Sequence, residues 1–304
     1  MIVNTALEFR NLMKGGHFPP DRAPFPRGIF MVEPADFFVS SETSPDNRYL
    51  ETGQDADPDL ALFQYQQLVE LIRETGIEVK SFPGDPATPD GVFPNNVFAT
   101  VPGRLIIGRM LYPGRQAEAR RKDIRAYFSS KGYETIDLSN EDCVAELTGP
   151  LILDRSRSIG FCGMSDRVDE AGARAMHSAF GLKLTFQFDL KPEEYHTNVI
   201  MSILAGRACV IHAEAFVDEA APGAIAETYP DRTLFIDQRE KNAFAGNCIA
   251  LTHSDLFMSQ AGVNALRQES RAVLESWGFV LHSTELDEIE KAGGSLRCML
   301  AEIF

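Results

Sequence analysis

With 304 residues, 44% of them hydrophobic and 24% charged, the chain carries enough apolar material for one large folded domain and too much for a disordered one. Its formal net charge of -15 argues against a phosphate-backbone partner, which needs clustered Lys and Arg. Five cysteines without a C-x-x-C pair signal neither a disulfide framework nor a zinc knuckle, and fit a reducing, cytoplasmic compartment.

From the amino terminus, MIVNTALEFRNLMKGG places Glu8 and Arg10 where a signal peptide would be apolar, and residues 1–26 read as an irregular segment. GIFMVEP (Gly28 to Pro34) is a strand, and DPDLALFQYQQLVELIRETG a helix ending on Gly. Strand, turn, strand follows in NNVFATVPGRLIIGRM from Asn95, then a helix in QAEARRKDIRAYFSSKG. The arginines of GRQAEARRKDIR (Gly114 to Arg125) read as a solvated face. The same alternation recurs in TGPLILDRSRSIGFCGM from Thr148, TNVIMSILAGRACVIHAE from Thr197 and NCIALTHSDLFMSQAG from Asn247, with helices in DRVDEAGARAMHSAFG and NALRQESRAVLESWG. MLAEIF closes the chain as a strand able to pair with GIFMVEP and remove an exposed edge. No apolar run is long enough to span a bilayer, so no membrane partner is expected.

A polar residue stands before the first strand of each pair: Asn95, Glu146, His196, Asn247 and, before MLAEIF, Cys298, at intervals of 51, 50, 51 and 51. A period that regular, carried by residues of different chemistry, marks repeated supersecondary units. Around one axis, equivalent strand ends converge, and these residues become neighbours.

Of the convergent residues only Cys298, on what reads as an apolar strand, is a good nucleophile near neutral pH, and it needs a base or a nearby positive charge. His196 can act as base or acid. Glu146 can hold a cationic substrate group or orient the imidazole, while Asn95, Asn96 and Asn198 offer neutral donors and acceptors. Cys143, Cys162, Cys209 and Cys248 read as small buried hydrophobes, and His17, His177, His212, His253 and His282 as structural or exposed. Asn247 reads as a turn former despite its phase. No phosphate-binding loop, dinucleotide fingerprint or G-x-S-x-G elbow occurs, and no H-x-x-x-H pair supports a metal.

MVEPADFFVSSET (Met31 to Thr43), GVFPNNVFAT (Gly91 to Thr100), ELTGPLILDR (Glu146 to Arg155), HTNVIM (His196 to Met201), NAFAGN (Asn242 to Asn247) and GGSLRCMLAEIF (Gly293 to Phe304) together resemble the guanidine-modifying, amidinotransferase-related superfamily of pentein fold. That superfamily includes arginine deiminases, dimethylarginine dimethylaminohydrolases and succinylarginine dihydrolases. The resemblance covers nearly the whole chain and is nearest to the citrulline-hydrolase-like branch. It implies a single pentein domain over residues 1–304, a five-fold pseudo-symmetric α/β propeller. It further implies Cys298 as covalent nucleophile, His196 as acid and base, Glu146 as a substrate-orienting carboxylate, and Arg167 in MSDRV, with Arg121 as a second candidate, for a substrate carboxylate. No cofactor or metal is implied, and a homodimer is compatible with it. The sequence departs from guanidinium deiminases in two places: Asn96 stands where they usually carry Asp, and His196-Thr197-Asn198 replaces His-x-Asp. Two missing carboxylates favour a neutral ureido group over a guanidinium, which wants carboxylate forks. The expectation is a cysteine hydrolase of an arginine-derived ureido or guanidino compound, with citrulline to ornithine, carbon dioxide and ammonia favoured. An arginine deiminase or dihydrolase and an amidinotransferase are the alternatives within the class. A ribosome-associated binding module of this fold would lack the Cys, His and Glu set.

Overall fold

Short apolar runs separated by tight turns fold back on themselves as hairpins. Phe98–Val101 and Arg104–Ile107 pair antiparallel, and Gly103 supplies the positive φ (73°) of their turn. Leu151–Asp154 pairs in the same way with Ile159–Met164, Met201–Leu204 with Ala208–Ile211, and Ile249–Ala250 with Asp255–Ser259. In each sheet the second strand takes a parallel third after a helical crossover: Glu134–Asp137, Leu184–Asp189, Thr233–Phe235 and Val280–Thr284 respectively. The fifth sheet joins the two ends of the chain. Ala301–Ile303 runs antiparallel to Gly28–Val32, with Ala301 opposite Phe30, and Gly28–Val32 takes Glu78–Phe82 in parallel. The expected pairing of MLAEIF with GIFMVEP is therefore present. The fold is mixed α/β; the computed structural model describes residues 1–43, 45–51 and 55–304.

The crossover helices form where sequence supplies both a cap and a stripe. Asp57 accepts from Asp59 N and Leu60 N, Pro58 opens the helix Pro58–Glu74, and Ala61, Tyr65, Leu68 and Ile72 bury one face at helical spacing. Asp169 caps Glu170–Ala179 by accepting from Gly172 N. The arginine-rich stretch differs from its reading as a solvated face. It breaks into Pro113–Glu118 and Lys122–Ser130, and Arg115 and Glu118 are buried. A buried ion pair explains this: Arg115 Nε donates to Glu118 Oε1 at 2.7 Å, so neither charge is left alone in the interior.

The amino-terminal segment also departs from expectation. Residues 1–26 read as irregular, yet Ala6–Lys14 is a helix capped by Thr5, and Ile2–Val3 adds in parallel to Leu184–Asp189. The physical reason is Phe9, which is fully buried and stacks on Phe186 with centroids 4.8 Å apart. Among the described residues no helix is long and apolar enough to cross a membrane.

Candidate active site

The five in-phase residues occupy the turns that lead into the first strand of each sheet. Asn95 and Asn96 lie in a 3-10 turn before Phe98–Val101, and His196 caps the short helix Thr197–Ile200 before Met201–Leu204. Cys298 was expected on a strand but lies in the helical turn Leu296–Met299, one residue removed from Ala301–Ile303. A turn directs its side chain inward to the other sheets rather than across its own.

Cys298 is 1% exposed, and two amides point at its sulfur: Asn198 Nδ2 and Asn247 Nδ2 each donate to Sγ at 3.4 Å. Asn247 is fixed in turn by donating to Asn198 O at 2.8 Å and by accepting from Arg297 N at 2.9 Å through Oδ1. Asn247 is thus part of the site, correcting its reading as a turn former. Its phase in the repeat was the signal; its chemistry is the same as that of an ordinary turn Asn, which hid it.

His196 is buried, and its Nε2 lies 2.9 Å from Glu146 Oε2. Glu146 also accepts from Leu111 N at 3.1 Å and from Arg167 Nη1 at 3.2 Å. Burial works to raise the Glu146 carboxyl; the Arg167 guanidinium and the His196 bond overcome it and hold the pKa at about 2. An ionised carboxylate only accepts, so His196 carries its proton on Nε2 and presents Nδ1, which is buried without a partner, as a lone pair. Burial, stronger here than the bond to Glu146, lowers the imidazole pKa, keeping the ring neutral and able to take a proton. Gly149 permits this placement, since a Cβ there would come within 2.7 Å of the His196 ring.

The pKa of Glu146 also makes the fold acid-sensitive. Because its folded value lies below the ordinary 4.5, the stabilisation is fully present above that pH and is lost as pH falls towards about 2. Glu146→Gln is expected to cost about 3 kcal/mol at neutral pH, since the depressed pKa reflects what the ionised carboxylate gains from Arg167 and His196, and Arg167 then keeps Asp46 alone. The gap in Tm between variant and wild type should narrow on acidification through that window. A gap that stays constant from pH 7 to acid would contradict this assignment.

Cys298, His196, Asn96 and Arg167 border one narrow cavity of ≈ 20 Å³ together with Asp90 and Arg115. Asn96 Oδ1 and Asn198 Oδ1 are buried without partners. Asn95 is buried too, with both amide atoms unpartnered, but does not border the cavity. Arg121 does not belong to the site: it binds Asp123 and the carbonyl of Pro83 on the surface, a short local pairing that the sequence could not separate from a substrate role. Arg167 does border the cavity, but its fork is held by Asp46, with Nε to Oδ2 at 2.5 Å and Nη2 to Oδ1 at 2.8 Å. Tyr112 hydroxyl donates to the same carboxylate at 3.0 Å.

Sequence reading missed Asp46, Asp90 and Arg115. Asp90 is buried in the cavity wall, its side chain without a hydrogen-bond partner among the described residues, and burial raises its pKa against the pull of Arg115 and Arg167. Asp46 belongs to a loop that closes over the cavity. Asn47 lines the cavity, Leu50 bridges to Ala292, and Arg48 and the Tyr49 hydroxyl bind Glu194, itself paired with buried Lys241. The space is narrow, room for a water or two. The remaining thiols stand apart: burial pushes Cys162 and Cys248 up to about 12 and raises Cys209 further, while Cys143, half-exposed rather than buried as expected, is also raised by desolvation. Among the described residues no cluster of three or more His, Cys, Asp or Glu is arranged to hold a metal ion.

Residues 33–304 match the family model described as N,N dimethylarginine dimethylhydrolase, eukaryotic. The N(G),N(G)-dimethylarginine dimethylaminohydrolase of Mycobacterium tuberculosis is 23% identical over 285 residues, covering 94% of this chain and 88% of that protein. The bifunctional arginine dihydrolase/ornithine cyclodeaminase AgrE of Nostoc is 24% identical over 245 residues, 81% of this chain but 33% of that protein. Among solved structures, the substrate-bound N-terminal domain of ArgZ, a cyanobacterial arginine dihydrolase, superposes with a TM-score of 0.79 at 20% identity, covering 90% of this chain and 97% of that one. A dimethylarginine dimethylaminohydrolase variant in adduct with S-methyl-L-thiocitrulline gives a TM-score of 0.70 at 19% identity, covering 91% and 100%. The chain belongs to the N,N dimethylarginine dimethylhydrolase family of the amidinotransferase-related pentein superfamily, as a hydrolase acting on carbon–nitrogen bonds.

Proposed function

We propose that this chain hydrolyses an arginine-derived amino acid through a covalent adduct on Cys298, with citrulline, giving ornithine, carbon dioxide and ammonia, as the favoured substrate. The five sheets are read as blades around one pseudo-five-fold axis, supported by their repeated strand order. Cys298 Sγ attacks the planar carbon after losing its proton to His196 Nδ1. The bond to the side-chain nitrogen breaks, and His196 returns that proton to the departing amine. A carbamoyl group remains on sulfur. Water, deprotonated by His196, attacks it, and the released carbamate decomposes to carbon dioxide and ammonia.

The observation that carries the ureido reading is that amides, and not carboxylates, stand against the Cys298 sulfur. Glu146 is engaged by Arg167, His196 and Leu111 N, while Asn96 Oδ1 and Asn198 Oδ1 have no partner. Amide oxygens receive ureido N–H groups without an unpaired negative charge in the interior. Buried Asp90 borders the cavity and offers an acceptor for the amino group of an amino acid, while Arg115, whose Nε and Nη2 are held by Glu118 and Phe93 O, has Nη1 left to meet the carboxylate.

A second reading, an arginine dihydrolase, is favoured by the likeness to the arginine dihydrolase domains. The two share chemistry, because an arginine dihydrolase must also process a ureido group. Measuring kcat/KM for citrulline, arginine and dimethylarginine, with ornithine and citrulline quantified as products, separates them. Asn96→Asp replaces a neutral acceptor by a buried carboxylate that a neutral ureido group leaves unpaired, and is expected to lower kcat/KM on citrulline by about 100-fold, roughly 3 kcal/mol. The ureido reading fails if wild type prefers arginine and the variant loses both substrates equally.

A further inference from the structure

A second cavity, of ≈ 470 Å³, opens at the far ends of the strands that begin beside the active site. Phe98–Val101 and Leu151–Asp154 each run from the turns of the site to end at a residue of this cavity, and Phe304 borders it just past Ala301–Ile303. At about 3.3 Å per residue, a four-residue strand separates the two places by about 13 Å.

The walls are apolar where Val101, Leu153, Phe180, Leu182 and Phe304 meet, and cationic where Arg22, Arg104 and Arg155 enter. The negative charges nearby are already used. Asp154 accepts from Ser156 Oγ at 2.6 Å, Arg157 Nη1 at 2.7 Å and Tyr229 hydroxyl at 2.7 Å. Glu302 serves two arginines, Arg155 at 3.3 Å and Arg297 at 3.0 Å. Arg22 and Arg104 have no ion-pair partner among the described residues.

Two donors on residues of this wall are unpaired and lie just beneath its surface: Ser158 Oγ, on a residue 1% exposed, and Arg155 Nε. Buried polar atoms are normally satisfied, so a pair of orphan donors in one cavity wall asks for an acceptor. Ser158 is also held at φ 58°, a backbone region that non-glycine residues seldom occupy. The Arg155 guanidinium lies 4.2 Å from the Phe304 ring centroid and 5.6 Å from that of Phe180, which fixes its orientation.

We propose that this cavity is a second ligand site, separate from the Cys298 pocket, that takes a small organic carboxylate with an apolar body. The carboxylate meets Arg104, Arg155 Nε and Ser158 Oγ, and the hydrocarbon part fills the space between Leu153, Phe180 and Leu182. Size agrees, since small-molecule sites typically enclose about 300–1,000 Å³. The apolar walls favour a carboxylate over phosphate, whose additional charged oxygens would face hydrocarbon without donors.

The test is titration of the full-length protein with benzoate, using benzamide and inorganic phosphate as comparison probes, read by calorimetry. Saturable benzoate binding is expected, with benzamide weaker by at least ~10-fold for want of charge. Arg104→Glu and Leu153→Trp should each weaken benzoate by at least ~10-fold, one by repulsion and one by filling the space. Arg104→Gln, which only removes charge and stresses the fold less, should shift affinity in the same direction, and thermal unfolding checks that each variant is folded. No saturable benzoate binding below ~20 mM, a weak-affinity limit, overturns the proposal. Affinity unchanged in folded Arg104→Gln and Leu153→Trp, or phosphate binding more tightly than benzoate, overturns it as well.

Discussion

Cys298→Ser is expected to abolish turnover while leaving the structure in place. The thiol is 1% exposed between two amide donors, Asn198 Nδ2 and Asn247 Nδ2. A hydroxyl accepts from both amides and is slightly smaller than the thiol, so the stability change should stay within about 1 kcal/mol. Chemistry is affected differently, because a serine hydroxyl needs far stronger activation than a thiol to attack a planar carbon near neutral pH. Thermal unfolding and steady-state rates measure the two effects separately. A variant retaining a tenth of wild-type activity would end the covalent assignment. Cys162→Ala, by contrast, should lower stability by about a kcal/mol or more through lost packing, leaving the rate unchanged, since its thiol is buried away from the cavity.

His196→Ala should lower kcat by at least ~10²-fold, because one ring must accept and return a proton in both halves of the reaction. The geometry narrows the expectation. Nε2 is committed to Glu146, so Nδ1 performs the transfers, and the substitution removes the only imidazole at the cavity among the described residues. Mass analysis of the intact variant during turnover should find substrate-derived mass held on Cys298, because hydrolysis of the adduct loses its base. The acid limb of the pH–rate profile assigned to the imidazole should vanish together with the rate. Absence of any rate loss would remove His196 from the mechanism.

The charges around the site are tied to one another across the chain. Asp46 occupies the fork of Arg167, the same group that depresses the Glu146 carboxyl. Burial raises the Glu118 carboxyl to about 7 despite its pairing with Arg115. The Asp46–Arg167 pair joins segments 121 residues apart, whereas Arg115 and Glu118 pair within one short helix and are buried together by the segments packed over them.

Local sequence was sufficient for the hairpins and for their repetition. A strand pair such as Phe98–Val101 with Arg104–Ile107 contains its own apolar pattern and its own Gly103 turn, so no distant residue is needed to specify it. The interval of 50 or 51 then identified Glu146, His196 and Cys298, and the motifs around them carried the family resemblance. The third strands were less legible, since Glu134–Asp137 is short, polar and partly exposed, and forms by adding to an edge already made. Phe9 was equally silent until Phe186 stood opposite it.

Tertiary structure alone decided the polar site. Asp46 meets Arg167 across 121 residues and Asn247 meets Cys298 across 51, and nothing in the neighbours of either distinguishes it from a loop Asp or a turn Asn. Arg121 and Arg115 show the same limit from the other side. Both belong to one basic stretch, yet one pairs locally at the surface and the other is buried at the cavity, because the break between Pro113–Glu118 and Lys122–Ser130 turns them to different places. Secondary structure follows from propensity and pattern within a few residues, whereas the charge state and partner of a buried group depend on every chain segment that excludes water from it.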